Sequence, residues 1–179
     1  MATKHSRRLV IDALIMRASG QTMHRTSSSC RMFLEEILKV CHRVVVSPAV
    51  RVEWRRHNSS FAASWQARMA TRGKLLFVDL GASPEVDALI AAIGHAPARD
   101  AAAKDRHLLD AALLADLRVA ALDDRALAAF RESKAMSARV GRIMWMNPVT
   151  AGADGVRWLR RRAPRRPAWN MNAPDTDGS

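Results

Sequence analysis

Short runs of apolar residues recur along the chain, and longer stretches of mixed polarity separate them. "RLVIDA" (8–13), "RVVVS" (43–47), "LLFVDL" (75–80), "RVAAL" (118–122) and "RIMWM" (142–146) have the length and residue types of strands, with 75–80 the weakest. Their apolar character is continuous rather than alternating, which predicts strands covered on both faces.

The stretches between them carry helical signals. "SSSCRMFLEEILKVCHR" offers Ser N-caps and then Met32, Phe33, Ile37 and Val40 on one stripe. "SPAVRVEWRRH" and "SPEVDALIAAIG" each place Pro in the first helical position after a Ser cap. "SSFAASWQARMATR", "AAKDRHLLDAALLAD" and "DRALAAFRES" complete the helices. Alternation of strand and helix predicts an α/β domain of three layers around a central, mainly parallel five-stranded sheet, spanning residues 6–150. The polar segment 20–28 reads as a mobile loop. After Pro148 the pattern dissolves, and 151–179 reads as a basic, Pro-broken, disordered tail.

Composition adds two things. The formal charge is +12, spread over the chain as well as the tail, which suits a polyanionic partner such as nucleic acid, or a GC-rich coding sequence. Cys30 and Cys41 have no partners at metal-ligand spacing and read as buried reduced thiols rather than a disulfide. The charged start and the lack of a membrane-length apolar run point to a soluble cytoplasmic protein without a membrane partner. No Gly-rich phosphate loop precedes a helix, which argues against P-loop nucleotide hydrolysis.

The carboxylates are the informative residues. Ligands of open parallel sheets bind beyond the C-terminal strand ends. Asp12 closes the first strand and Asp123 the fourth, so they meet if those strands are neighbours. Asp105 lies about 20° from the buried stripe of its helix and is expected in the first turn, pointing inward. Glu53 shares a helix face with Ala49 and Val50 and leans over the same edge. Asp110 is expected to be solvated, and Asp116 to lie at the opposite edge. Such a cluster needs protons or a hard divalent cation, Mg²⁺ or Mn²⁺. Each acid also has a plainer reading: Asp124 before all, then Asp123, as a helix cap; Asp105 as a cap or helix-dipole residue; Glu53 as a partner of Arg56 or His57; Asp12 as a turn residue. His107 reads as a solvated helix residue.

In order and spacing, "LVIDA", "VVVSPAVRVEW", "DRHLLDAALLAD" and "RVAALDD" resemble the PIN domain family of metal-dependent nucleases over roughly residues 7–147. The resemblance implies catalytic and metal-site roles for Asp12, Glu53, Asp105 and Asp123, with Mg²⁺ or Mn²⁺ as the ion. It implies endonucleolytic hydrolysis of RNA phosphodiesters, in which the ions hold a phosphate oxygen and activate water. Many members are toxins restrained by a small antitoxin protein, and many form homodimers, so RNA, an antitoxin and a second copy are the implied partners. One position departs: Leu14 stands where many members have Ser, Thr or Asn. That departure favours the rival class, a catalytically weak or inactive RNA-binding or scaffold domain. Arg17, Arg25, Arg51, Arg55 and Arg125 are candidate rim cations, and Trp158 or Trp169 of the tail could stack on bases. Phosphoacceptor domains share such a sheet, but their second acid near the first strand is missing here.

Overall fold

A computed structural model describes residues 6–174. Five strands run Arg8–Ile11 (β1), Arg43–Val46 (β2), Leu75–Phe77 (β3), Arg118–Ala120 (β4) and Met144–Met146 (β5). All pairings are parallel, in the order β3-β2-β1-β4-β5. The predicted α/β class holds. The unbroken apolar runs have the physical basis expected, since Leu9–Ile11, Val44–Val46, Val119 and Ala120 are buried. The weakest run, 75–80, becomes the edge strand, half-buried at Leu75 and Leu76 and open at Phe77.

Helices fill the crossovers: α1 (Ala13–Ala18) and α2 (Arg25–Lys39), α3 (Pro48–Arg56) and α4 (Ser60–Thr71), α5 (Pro84–Ala91) and α6 (Ala96–Leu114), α7 (Asp124–Arg131) and α8 (Ala138–Gly141), then α9 (Pro148–Arg160). They sort into two sets. α2 packs against α1, α4 and α9, whereas α6 packs against α5, α7 and α8. α3 touches both α1 and α6 and so bridges the sets where β2 ends. The Trp54 indole fixes that bridge, donating from Nε1 to the Ile11 carbonyl at 2.9 Å.

Three local expectations are corrected. The segment read as a mobile loop is already helical from Arg25, because His24 accepts the Thr26 amide through Nδ1 and caps α2. α6 starts at Ala96, with Pro97 in its first turn, so Asp105 lies ten residues along it rather than in its first turn. Cys30 is buried as expected, whereas Cys41 is exposed.

The largest correction concerns residues 151–174, read as a disordered tail. α9 continues the domain to Arg160, and Trp158, Leu159, Ala163 and Met171 are buried. Charge pairing explains how so basic a segment docks: Arg160 donates to both oxygens of the buried Glu36 carboxylate, at 2.9 and 3.1 Å. His42 takes the Arg7 amide on Nδ1 and therefore donates from Nε2 to the Leu159 carbonyl at 2.9 Å. Arg118, buried at the start of β4, donates to the Ala163 carbonyl. The chain then pairs Asn170 antiparallel with Met144 of β5. Residues 175–179 of the proposed tail lie outside the described residues.

Candidate active site

Strand order determines where the acids fall. From β1 the chain steps to β2 and β3 on one side, then returns to β4 and β5 on the other. The switch point between β1 and β4 is where open α/β sheets leave a crevice. The register aligns Ile11 with Ala120, and the Asp12 amide donates to the Ala120 carbonyl at 2.9 Å. Asp12 and Asp123 therefore follow paired strands, which was the condition for their meeting.

Asp12 is buried, 6% exposed, at the N-cap of α1. Burial pushes its carboxyl up to about 6, and the Asp123 charge adds to that. The Leu14, Ala13 and Leu122 amides pull the other way. Asp105 reaches the same place from the middle of α6. Burial raises its carboxyl to about 7, helped by the negative charges of Asp12, Asp123 and Glu53, with Lys104 opposing. Asp105 thus senses acids from three other stretches of the chain, and Asp12 senses Asp123.

Asp123 and Glu53 are also held by protein groups. Asp123 Oδ1 accepts the Arg125 and Ala126 amides, at 2.9 and 3.0 Å, and caps α7. The cap assigned first to Asp124 belongs to Asp123. Asp124 instead opens α7 and accepts the Asn147 amide group at 3.0 Å. Glu53 accepts from Arg56 at 3.2 Å and faces His57 Nε2 at 3.7 Å, the pairing its plainer reading foresaw.

Among the described residues, no group of three or more His, Cys, Asp or Glu side chains is arranged to hold a metal ion. The donor chemistry nevertheless suits one. All four are hard oxygen ligands, and Oδ2 of Asp123 takes no part in the α7 cap.

Neighbouring positions differ in part from expectation. Asp110 is not solvated; it accepts the Ser83 amide at 3.0 Å and Arg106 Nε at 3.2 Å. Asp116 sits at the opposite edge as expected, accepting the Arg8 amide at 2.8 Å. His107 is half-buried rather than solvated. Its Nδ1 donates to the Lys104 carbonyl, and burial lowers its pKa while the Glu53 charge opposes. The Glu53 charge thus reaches both Asp105 and His107 of α6. Arg17, Arg25, Arg51, Arg55 and Arg125 are all exposed. Arg17 lines one cavity with Arg56 and His57. Trp158 is buried, so it covers the core and offers no face to a base. Its ring lies edge-to-face with that of Trp169, centroids 5.3 Å apart, and Arg166 stands 4.5 Å from the Trp169 ring centroid.

No protein-family model matches the chain, and no curated protein or solved structure is significantly similar to it. The case for function rests on the site itself.

Proposed function

We propose that the protein is a metal-dependent endoribonuclease of PIN type, acting on RNA phosphodiester bonds at the β1–β4 switch point. The observation that carries this reading is that Asp105, raised to about 7 chiefly by burial, also senses the negative charges of Asp12, Asp123 and Glu53. Carboxyls perturbed by burial and like charge at the ligand-binding edge of a parallel sheet are candidates for a functional site.

Asp12, Asp105 and Asp123, with Glu53, would hold Mg²⁺ or Mn²⁺. When bound, the ion supplies Lewis-acid stabilisation of phosphate charge and activation of water. The chain's own residues do the rest. Asp12 is fixed by burial and by the β1–β4 pairing. Asp105 exchanges its proton with solvent near neutral pH, so ion binding competes with that proton. Glu53 is oriented by Arg56 and His57. Without a cation the acids repel a phosphate, while exposed arginines around them attract the strand.

A second reading is a non-catalytic RNA-binding or scaffold domain. The amide bonds that commit Asp123 to capping α7, and the half-buried Leu14 two residues after Asp12, favour it. A small antitoxin protein, a second copy of the chain and a cytoplasmic setting belong to the nuclease proposal. Incubation of RNA with the protein and Mn²⁺, beside Asp12→Asn and Asp105→Asn variants, tests it. Cleavage by the parent alone supports the nuclease. Equal loss with all three proteins, or RNA binding without loss, overturns it.

A further inference from the structure

The nuclease reading leaves one surface unused. Phe77, at the C-terminal end of the edge strand β3, is 62% exposed, and Val52 of α3 is 43% exposed. With Arg51, Arg55, Val78 and Asp79 they line an open groove of about 440 Å³. Lone exposed apolar residues are ordinary, but here an aromatic ring, two aliphatic side chains and two cations share one concavity. The Arg51 guanidinium stands over the Phe77 ring, 5.7 Å from its centroid.

We infer that this groove seats a nucleotide of single-stranded RNA flanking the scissile bond, its base against Phe77 and its phosphates on Arg51 and Arg55. The inference rests on the nuclease reading for the identity of the strand. Complementarity supports it. Every base offers a π face to an aromatic ring, and the two arginines, one helical turn apart on α3, outnumber the single acid, Asp79. The gap fits as well. A base between guanidinium and ring needs two stacking intervals of ~3.4 Å, about an ångström more than the 5.7 Å seen, a shift that the exposed Arg51 can make.

Position ties the groove to the acids. β3 lies two strands from β1, about 10 Å at ~4.8 Å per strand. That separation is about three nucleotides at the stacked rise. α3 joins the two places, since Glu53 belongs to the acidic cluster and Arg51 and Arg55 belong to the groove.

Binding of fluorescein-labelled oligouridine to the full-length protein, followed by anisotropy in chelator, tests this without requiring cleavage. Phe77→Ala should weaken binding about 10-fold, and Phe77→Tyr should restore it to within about twofold. Arg51→Gln with Arg55→Gln should lower the salt slope by about 1.4, at ~0.7 per phosphate contact on a single strand. Labelled duplex of the same length should bind more weakly than the single strand. Affinity within about twofold of the parent for Phe77→Ala overturns the inference. So does tighter binding of duplex, or loss of a dimer in light scattering with RNA affinity unchanged. Failure of the nuclease reading is separate: Asp12→Asn that cleaves like the parent removes the active-site assignment and leaves the binding comparison standing.

Discussion

Replacing Asp105 by Asn gives a signed prediction about stability. The Asp105 carboxyl is raised from 3.8 to about 7 in the folded protein. Between those values the folded state holds a proton that the unfolded state has lost, so stability falls as pH rises through this window. That rise corresponds to ~4 kcal/mol, at ~1.36 kcal/mol for each tenfold change in proton affinity. Asp105 is only half-buried, so solvent screening reduces this to about 2 kcal/mol. The penalty is absent below pH 4 and complete above pH 7. Asp105→Asn should therefore match the parent at pH 4 and exceed it by about 2 kcal/mol at pH 8, roughly 4–8 °C in Tm for a chain of this size. Denaturant unfolding followed by far-UV circular dichroism, in chelator, measures both. The variant keeps the shallower fall due to Asp12, whose carboxyl is raised to about 6. Parallel curves for parent and variant from pH 4 to pH 8 would refute the reasoning, since they would mean that neither burial nor the other acids raise the Asp105 carboxyl.

Trp158→Ala removes a buried ring and should cost ~3–5 kcal/mol by chemical denaturation, with RNA affinity per folded molecule unchanged. A base-stacking role would give the opposite pattern. Asp123→Ala loses the α7 cap and should destabilise by ~1 kcal/mol, whereas Asp123→Asn should keep the cap and still lose cleavage. Equal activity of the Asn variant and the parent would leave Asp123 with the cap alone. Mn²⁺ should raise the Tm of the parent at pH 8 and leave that of Asp12→Asn unmoved, as thermal melts with and without the ion would show.

The strands were legible because a sheet covered on both faces demands unbroken apolar runs, and few other elements of that length do. The acidic edge followed from strand ends alone for Asp12 and Asp123. Glu53 followed from Pro48, which starts α3 and sets its phase. Part of what escaped the residue pattern depended on partners distant in sequence. The tail is rich in Arg and Pro, yet Arg160 meets Glu36 and His42 meets the Leu159 carbonyl more than a hundred residues away. Asp105 was assigned to a first helical turn because Ala96–Ala103 carries little periodic contrast, though its alanines propagate a helix well. Asp110 looked solvated because its partners, Ser83 and Arg106, come from a neighbouring element and from one turn earlier in α6. The cap on α7 was placed one residue late because two adjacent aspartates satisfy the same local rule.

A crystal structure grown with Mn²⁺, with the ion located by its anomalous scattering, bears most directly on the central claim. The account predicts a peak bound by carboxylate oxygens of Asp12, Asp105 and Asp123 at the ends of β1 and β4, with Glu53 alongside. A saturating concentration of Mn²⁺ that leaves these four carboxylates without a peak, or that binds only elsewhere, would contradict it.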